Sequence, residues 1–148
     1  MILLKFVVMG EPQPKPRPRA ARIGAGIRIY SPKTDWAKDV AGAATIAALD
    51  IKILDGPLGL DVQFIHRRPA SRKRDVWKIT RGDVDNFVKQ VMDSMNDAGV
   101  WVDDARVVEL SACKRYTRRG ERPCTMVKVY GLEDKGQRTN RSMNLKDS

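Results

Sequence analysis

Residues 82–110 read GDVDNFVKQVMDSMNDAGVWVDDARVVEL, and the fold of the chain turns on how this stretch is read. Its middle is amphipathic at the helical period. Val84, Phe87, Val88, Val91, Met92, Met95 and Ala98 fall on one side, and Asp83, Asp85, Asn86, Lys89, Gln90, Asp93 and Asn96 on the other. The spacing predicts a helix over about residues 83–97, ended by the segment 96–99, with a strand starting soon after residues 100–102. Such an apolar stripe must lie on a sheet, which turns the polar face outward or into a cleft.

Working outward, residues 2–9 form an apolar, β-rich run ended by Gly10, and the proline-spaced segment EPQPKPRPR that follows cannot be helix or central strand. A short strand is expected at residues 26–30. A helix should then start with Ser31 as N-cap and Pro32 at its first position, running to about residue 49 with Trp36, Val40, Ala43, Ala44 and Ala47 on its apolar face. Alternation predicts a strand over residues 59–67, and residues 106–116 and 123–130 read as a terminal hairpin around RRGER. The sum is an α+β fold: a single compact domain over residues 1–132, with two main helices packed on a mixed β-sheet. Residues 133–148 form a polar tail expected to be disordered.

The balance of 28 Lys plus Arg against 18 Asp plus Glu gives a formal charge of +10, which points to a polyanionic partner, nucleic acid first. Two segments concentrate the charge. The stiffened arm presents Lys15, Arg17 and Arg19 to a phosphate backbone at small entropic cost. The segment 67–81 holds Arg67, Arg68, Arg72, Lys73, Arg74, Lys78 and Arg81 against the single acid Asp75, and reads as a mobile DNA-contacting loop. Trp77 within it either stacks on an unpaired base or tucks back on the body. The run ILLKFVVM is too short to span a membrane and lacks a leader pattern, so a soluble, cytoplasmic protein is expected.

Cys113 and Cys124 match no zinc spacing, and His66 has no second histidine, so any metal is held by oxygen. The cysteines read as reduced core residues, with an approach across the terminal hairpin as the alternative; His66 reads as packed rather than catalytic. Asp83 and Asp85 at a helix start have an ordinary use as caps, and Asp103–Asp104 as a turn. Taken together they read as a cation site, provided strand pairing carries the second pair back beside the first. Magnesium, with manganese as substitute, suits oxygen ligands and phosphates, and the chemistry such an ion supports is phosphodiester hydrolysis. Lys89, one turn beyond Asp85, either steadies the phosphate or pairs with Asp85 or Asp93.

These residues resemble the RusA-like Holliday junction resolvases. The arm PQPKPRPR, the helix entry YSPKT, the block DVDNFVKQVMDSMNDAG with its D-x-D-N-x-x-K pattern and the segment WVDDARVVEL carry the resemblance, over roughly residues 10–130. It implies that Asp83, Asp85 and Asp104 are magnesium-binding catalytic carboxylates, Asp103 an adjacent acid at the metal and Lys89 the catalytic lysine. It further implies a homodimer that cuts four-way DNA junctions by paired symmetric nicks, in recombination and repair. The chain has Gly82 where the family often has proline, and its basic loop is long. A nuclease for other branched or flap DNA, and a basic nucleic-acid-binding protein without catalysis, are the alternatives.

Overall fold

Eight strands and helices follow one another as β1 (Ile2–Met9), β2 (Arg19–Ile23), β3 (Gly26–Tyr30), α1 (Asp35–Ala47), β4 (Leu58–His66), α2 (Val84–Ala98), β5 (Val107–Tyr116) and β6 (Cys124–Gly131). They are seen in a computed structural model that describes residues 1–16, 18–30 and 32–133, without the side chains of Arg19 and Tyr30. Arg17, the Arg19 side chain, Ser31 and the tail from residue 134 onward, on which several expectations fall, lie outside the described residues.

The main sheet has the order β1-β6-β4-β5. β6 runs antiparallel to both neighbours, while β4 and β5 are parallel and joined through α2, so the sheet is mixed. This corrects the expected terminal hairpin: β4 lies between β5 and β6. The reason is burial. Val127 and Val129 of β6 are buried and need a neighbour on each side, whereas Val108 and Leu110 of β5 are 65% and 52% exposed and suit an edge. With β4 interposed, Cys113 and Cys124 sit on strands that do not touch, both free.

α1 and α2 pack together, and their apolar stripes meet Leu4, Val8, Leu60, Val62, Phe64, Val127 and Val129 in one core. Trp36, Phe64 and Phe87 knit its centre. Trp36 meets each of the other two edge-on at 5.9 Å, and its indole donates to Thr125 Oγ1 at 3.0 Å. α2 departs from its sequence projection at two places: Gln90 is buried and Val84 is exposed. α1 begins later than expected, since Thr34 rather than Ser31 caps it, its hydroxyl accepting from Ala37 N at 3.0 Å. Burial of Trp36 and Ala37 selects the second of two capping residues.

A hairpin not fully foreseen, β2 with β3, turns at Gly24 and exposes Ile27 and Ile29. The basic segment 67–81 is also tied down rather than loose: Lys78 N donates to Lys114 O, Tyr116 N donates to Val76 O, and Trp77 pairs with Arg115 along the outer edge of β5. Among the described residues no helix is long and apolar enough to cross a membrane.

Arg115, buried, grips Glu121 with two bonds of 2.7 and 2.9 Å. That guanidinium first, and the Arg118 N–H second, lower the Glu121 carboxyl from 4.5 to about 2. Since its value is depressed on folding, the stabilisation is present above pH 4.5 and lost as pH falls toward about 2. Melting temperature should therefore fall more steeply through this window in the natural chain than in Glu121→Gln; equal slopes in a thermal-melt series would contradict it.

Candidate active site

Gly82 sets up the entrance to α2. Its φ of 102° is open to glycine and closed to proline, and a Cβ there would stand 2.7 Å from the Phe87 ring. Lys114 Nζ grips the carbonyls of Thr80 and Gly82 at 2.8 and 2.5 Å. The chain thus enters α2 with Asp83 at the N-cap, yet the Asp83 side chain makes no capping bond. Its carboxylate stays exposed at the positive end of the helix dipole. Asp85 is exposed beside it, one oxygen accepting the Asn86 N–H at 3.0 Å, and Lys89 is exposed one turn along.

Beneath this end lie the carboxyl ends of the parallel strands β4 and β5. His66 is buried against Phe87, with ring centroids 5.2 Å apart; Nδ1 meets Glu11 Oε1 at 3.1 Å, and Nε2 has no partner among the described residues. Burial lowers the His66 pKa, opposed by Glu11 and reinforced by the charges of Lys78 and Lys114. Lys78 is lowered too, first by burial and then by Lys114, and its ammonium donates to Thr80 Oγ1 and Arg81 O.

The other pair is elsewhere. Asp103 caps a 3-10 turn, Asp104–Arg106, by accepting from Ala105 N at 3.3 Å. Asp104 Oδ2 accepts from Asn96 at 3.0 Å, and Asn96 in turn accepts from the Trp101 indole at 2.5 Å. The neighbouring Asp104 carboxyl, then the Ala105 N–H, hold the Asp103 carboxyl below its ordinary value. Asp104 therefore sits at the C-terminal end of α2. Asn96 lies eleven positions beyond Asp85, about 16 Å along a helix. The expectation that one chain folds its second pair back beside the first is corrected: among the described residues no three carboxylate, His or Cys side chains form a metal-holding group. A helix lies between them as a rigid spacer. Each end offers the hard oxygen donors that magnesium or manganese takes, but one chain does not converge them.

The basic residues divide by what they already hold. Arg68 stands over the Tyr116 ring at 5.6 Å and donates to Thr117 O and Arg72 O, Arg72 pairs with Asp75 at 2.7 Å, and Lys78 braces the loop. Arg67, Lys73, Arg74 and Arg81 are exposed, and so is Trp77. Lys15 lies against α2, its N–H donating to Asn86 Oδ1 at 2.9 Å. Sequence reading missed Lys114, Glu11 and Gln90. Lys114 had a signal: it falls on the same strand face as Leu110 and Ala112, in register with Phe64.

A family model described as endodeoxyribonuclease RusA matches residues 9–130. The uncharacterized protein YqaN of Bacillus subtilis (strain 168) is 30% identical over 129 aligned residues, spanning 79% of this chain and 90% of that one.

Gly82 offers a direct test of the entrance. Gly82→Ala should lower stability by about 1–3 kcal/mol through its positive φ and the Phe87 contact, and Gly82→Pro by more. Denaturant titration measures both; a neutral Gly82→Pro would refute the described turn.

Proposed function

Because the chain belongs to the RusA endodeoxyribonuclease family, we propose that it resolves four-way DNA junctions by magnesium-supported phosphodiester hydrolysis, as a homodimer. The observation that carries the reading is the exposed Asp83, whose carboxylate leaves the capping role empty beside Asp85 and Lys89. A structural cap would be used as one. The chemistry a bound magnesium or manganese ion supplies is a polarised phosphate and a more acidic water. Asp83 and Asp85 would hold it from the N-terminal end of α2, and Asp104, with Asp103 beside it, from the C-terminal end. Lys89 steadies the negative phosphate on the same helix face.

Assembly supplies the missing proximity. The outer edge of β5 is taken by residues 76–78 near Lys114 and Tyr116, and its other end carries the exposed Val108 and Leu110. Two such edges paired antiparallel about a two-fold axis run the Asp103–Asp104 end of one copy toward the Asp83–Asp85 end of the other. Charge favours this pairing, since Lys78 and Lys114 lie together at the second end. Lys15 of the arm and the exposed cations of residues 67–81 serve the DNA backbone, and a role in recombination and repair follows. The free thiols accord with a cytoplasmic setting.

The test uses a synthetic four-way junction with magnesium. Asp85→Asn and Asp104→Asn should each lose activity by about 100-fold or more. Mixing the two variants and allowing exchange should restore roughly a quarter of the nicking, the share of composite sites that is intact. Cutting that persists in both single variants would sink the metal assignment. Inactive variants that fail to complement would sink the shared site alone, and binding without any cutting would favour a non-catalytic DNA-binding protein.

A further inference from the structure

The proline-rich arm is bound to α2 by two side-chain amides that the carboxylate chemistry does not use. Lys15 N–H donates to Asn86 Oδ1 at 2.9 Å. Gln90 Nε2 donates to Gln13 O at 2.8 Å and to Asn86 Oδ1 at 3.2 Å, while Gln90 Oε1 accepts from the Thr34 hydroxyl at 3.0 Å. The Gln13 side chain reaches Trp36 N at 3.3 Å, and Pro12 is buried. The arm therefore threads between the start of α1 and the polar face of α2, and Lys15 lines a groove with Lys33, Asp93 and Asp97.

Two facts set this apart from ordinary packing. Gln90 is 5% exposed on the polar side of an otherwise well-patterned helix, and a buried amide there is costly unless its bonds are made. Asn86 also joins the arm directly to a site carboxylate: its N–H donates to Asp85 Oδ1 while its side chain holds Lys15. A single residue thus fixes where the arm runs relative to Asp85.

We propose that Asn86 and Gln90 are positioning residues that clamp the arm onto α2, setting the Lys15 ammonium at a fixed offset from Asp85 to receive a backbone phosphate flanking the scissile one. A proline-spaced segment is stiff along its length but needs an anchor to acquire a direction, and the two amides provide it. Lys15 then contributes to substrate binding and register rather than to the bond-breaking step. This role rests on the DNA-cleaving reading; the clamp itself does not.

The experiment separates the two. In the full chain labelled with nitrogen-15, amide exchange at Lys15 reads the clamp without DNA. Asn86→Ala should speed that exchange about tenfold or more with the core amides unchanged, whereas Asn86→Asp, which keeps an acceptor oxygen, should retain the protection. Junction cleavage by Asn86→Ala should show KM raised about five- to tenfold and kcat within about twofold, matched by Lys15→Ala. Gln90→Met gives the same reading from the other amide if Asn86→Ala melts early. Unchanged Lys15 exchange in Asn86→Ala and Gln90→Met would overturn the clamp. Faster exchange with KM unchanged, or with kcat falling instead, would overturn the positioning role. If the natural chain cuts no junction, the exchange data still decide the clamp, and junction affinity without divalent ions decides what Lys15 contributes.

Discussion

Burial of one stripe of α2 is the constraint on which everything else depends. Phe87, Val91 and Met95 are all but fully enclosed against Phe64, Val62 and their neighbours, and each such side chain contributes about 1.5–3 kcal/mol relative to exposure. Once that stripe is committed to the sheet, the helix can neither rotate nor slide. Its opposite face is then fixed in space. Asp85, Asn86 and Lys89 inherit their directions from apolar residues one or two positions away.

The same helix determines what one chain can and cannot assemble. Both pairs of aspartates are held by its ends, Asp83 and Asp85 through the Gly82 turn and Asp104 through Asn96. The helix keeps the pairs apart as firmly as it orients them. Separation by a rigid rod gives a single copy two separate pairs of aspartates, and the hydrolytic centre proposed for this family member draws on both ends at once.

Much of the fold was legible because it rests on local periodicity. The α2 stripe, β1, β4, β5 and β6 come within a residue or two of their expected bounds, since each buries a face whose period is written in the chain. Strand order was not legible. Nothing local distinguishes β5 paired with β6 from β5 paired with β4, and the choice follows from which strand is buried on both flanks. The α1 start was misplaced because Ser31 and Thr34 both satisfy the capping rule and the burial of Trp36 decides between them. The candidate carboxylates were visible as residue types at telling spacings. Their distance was not, because sequence proximity across residues 98–102 says nothing about a helix whose two ends they occupy. Gln90 went unread as a buried residue since its partner, the Gln13 carbonyl, lies in an arm that pattern alone treats as free.

The strap formed by residues 76–78 has a consequence beyond bracing the loop. By occupying the edge of β5 at Lys114–Tyr116 it acts as a stop. A bare edge ten residues long would accept an incoming strand at several offsets, each shifted by two residues, and would invite open-ended stacking. With one end closed, an added strand that overruns residue 113 meets the strap. The strap shortens the length of edge that an added strand could follow, so the element that carries Trp77 also limits how far a neighbouring strand could extend along the sheet.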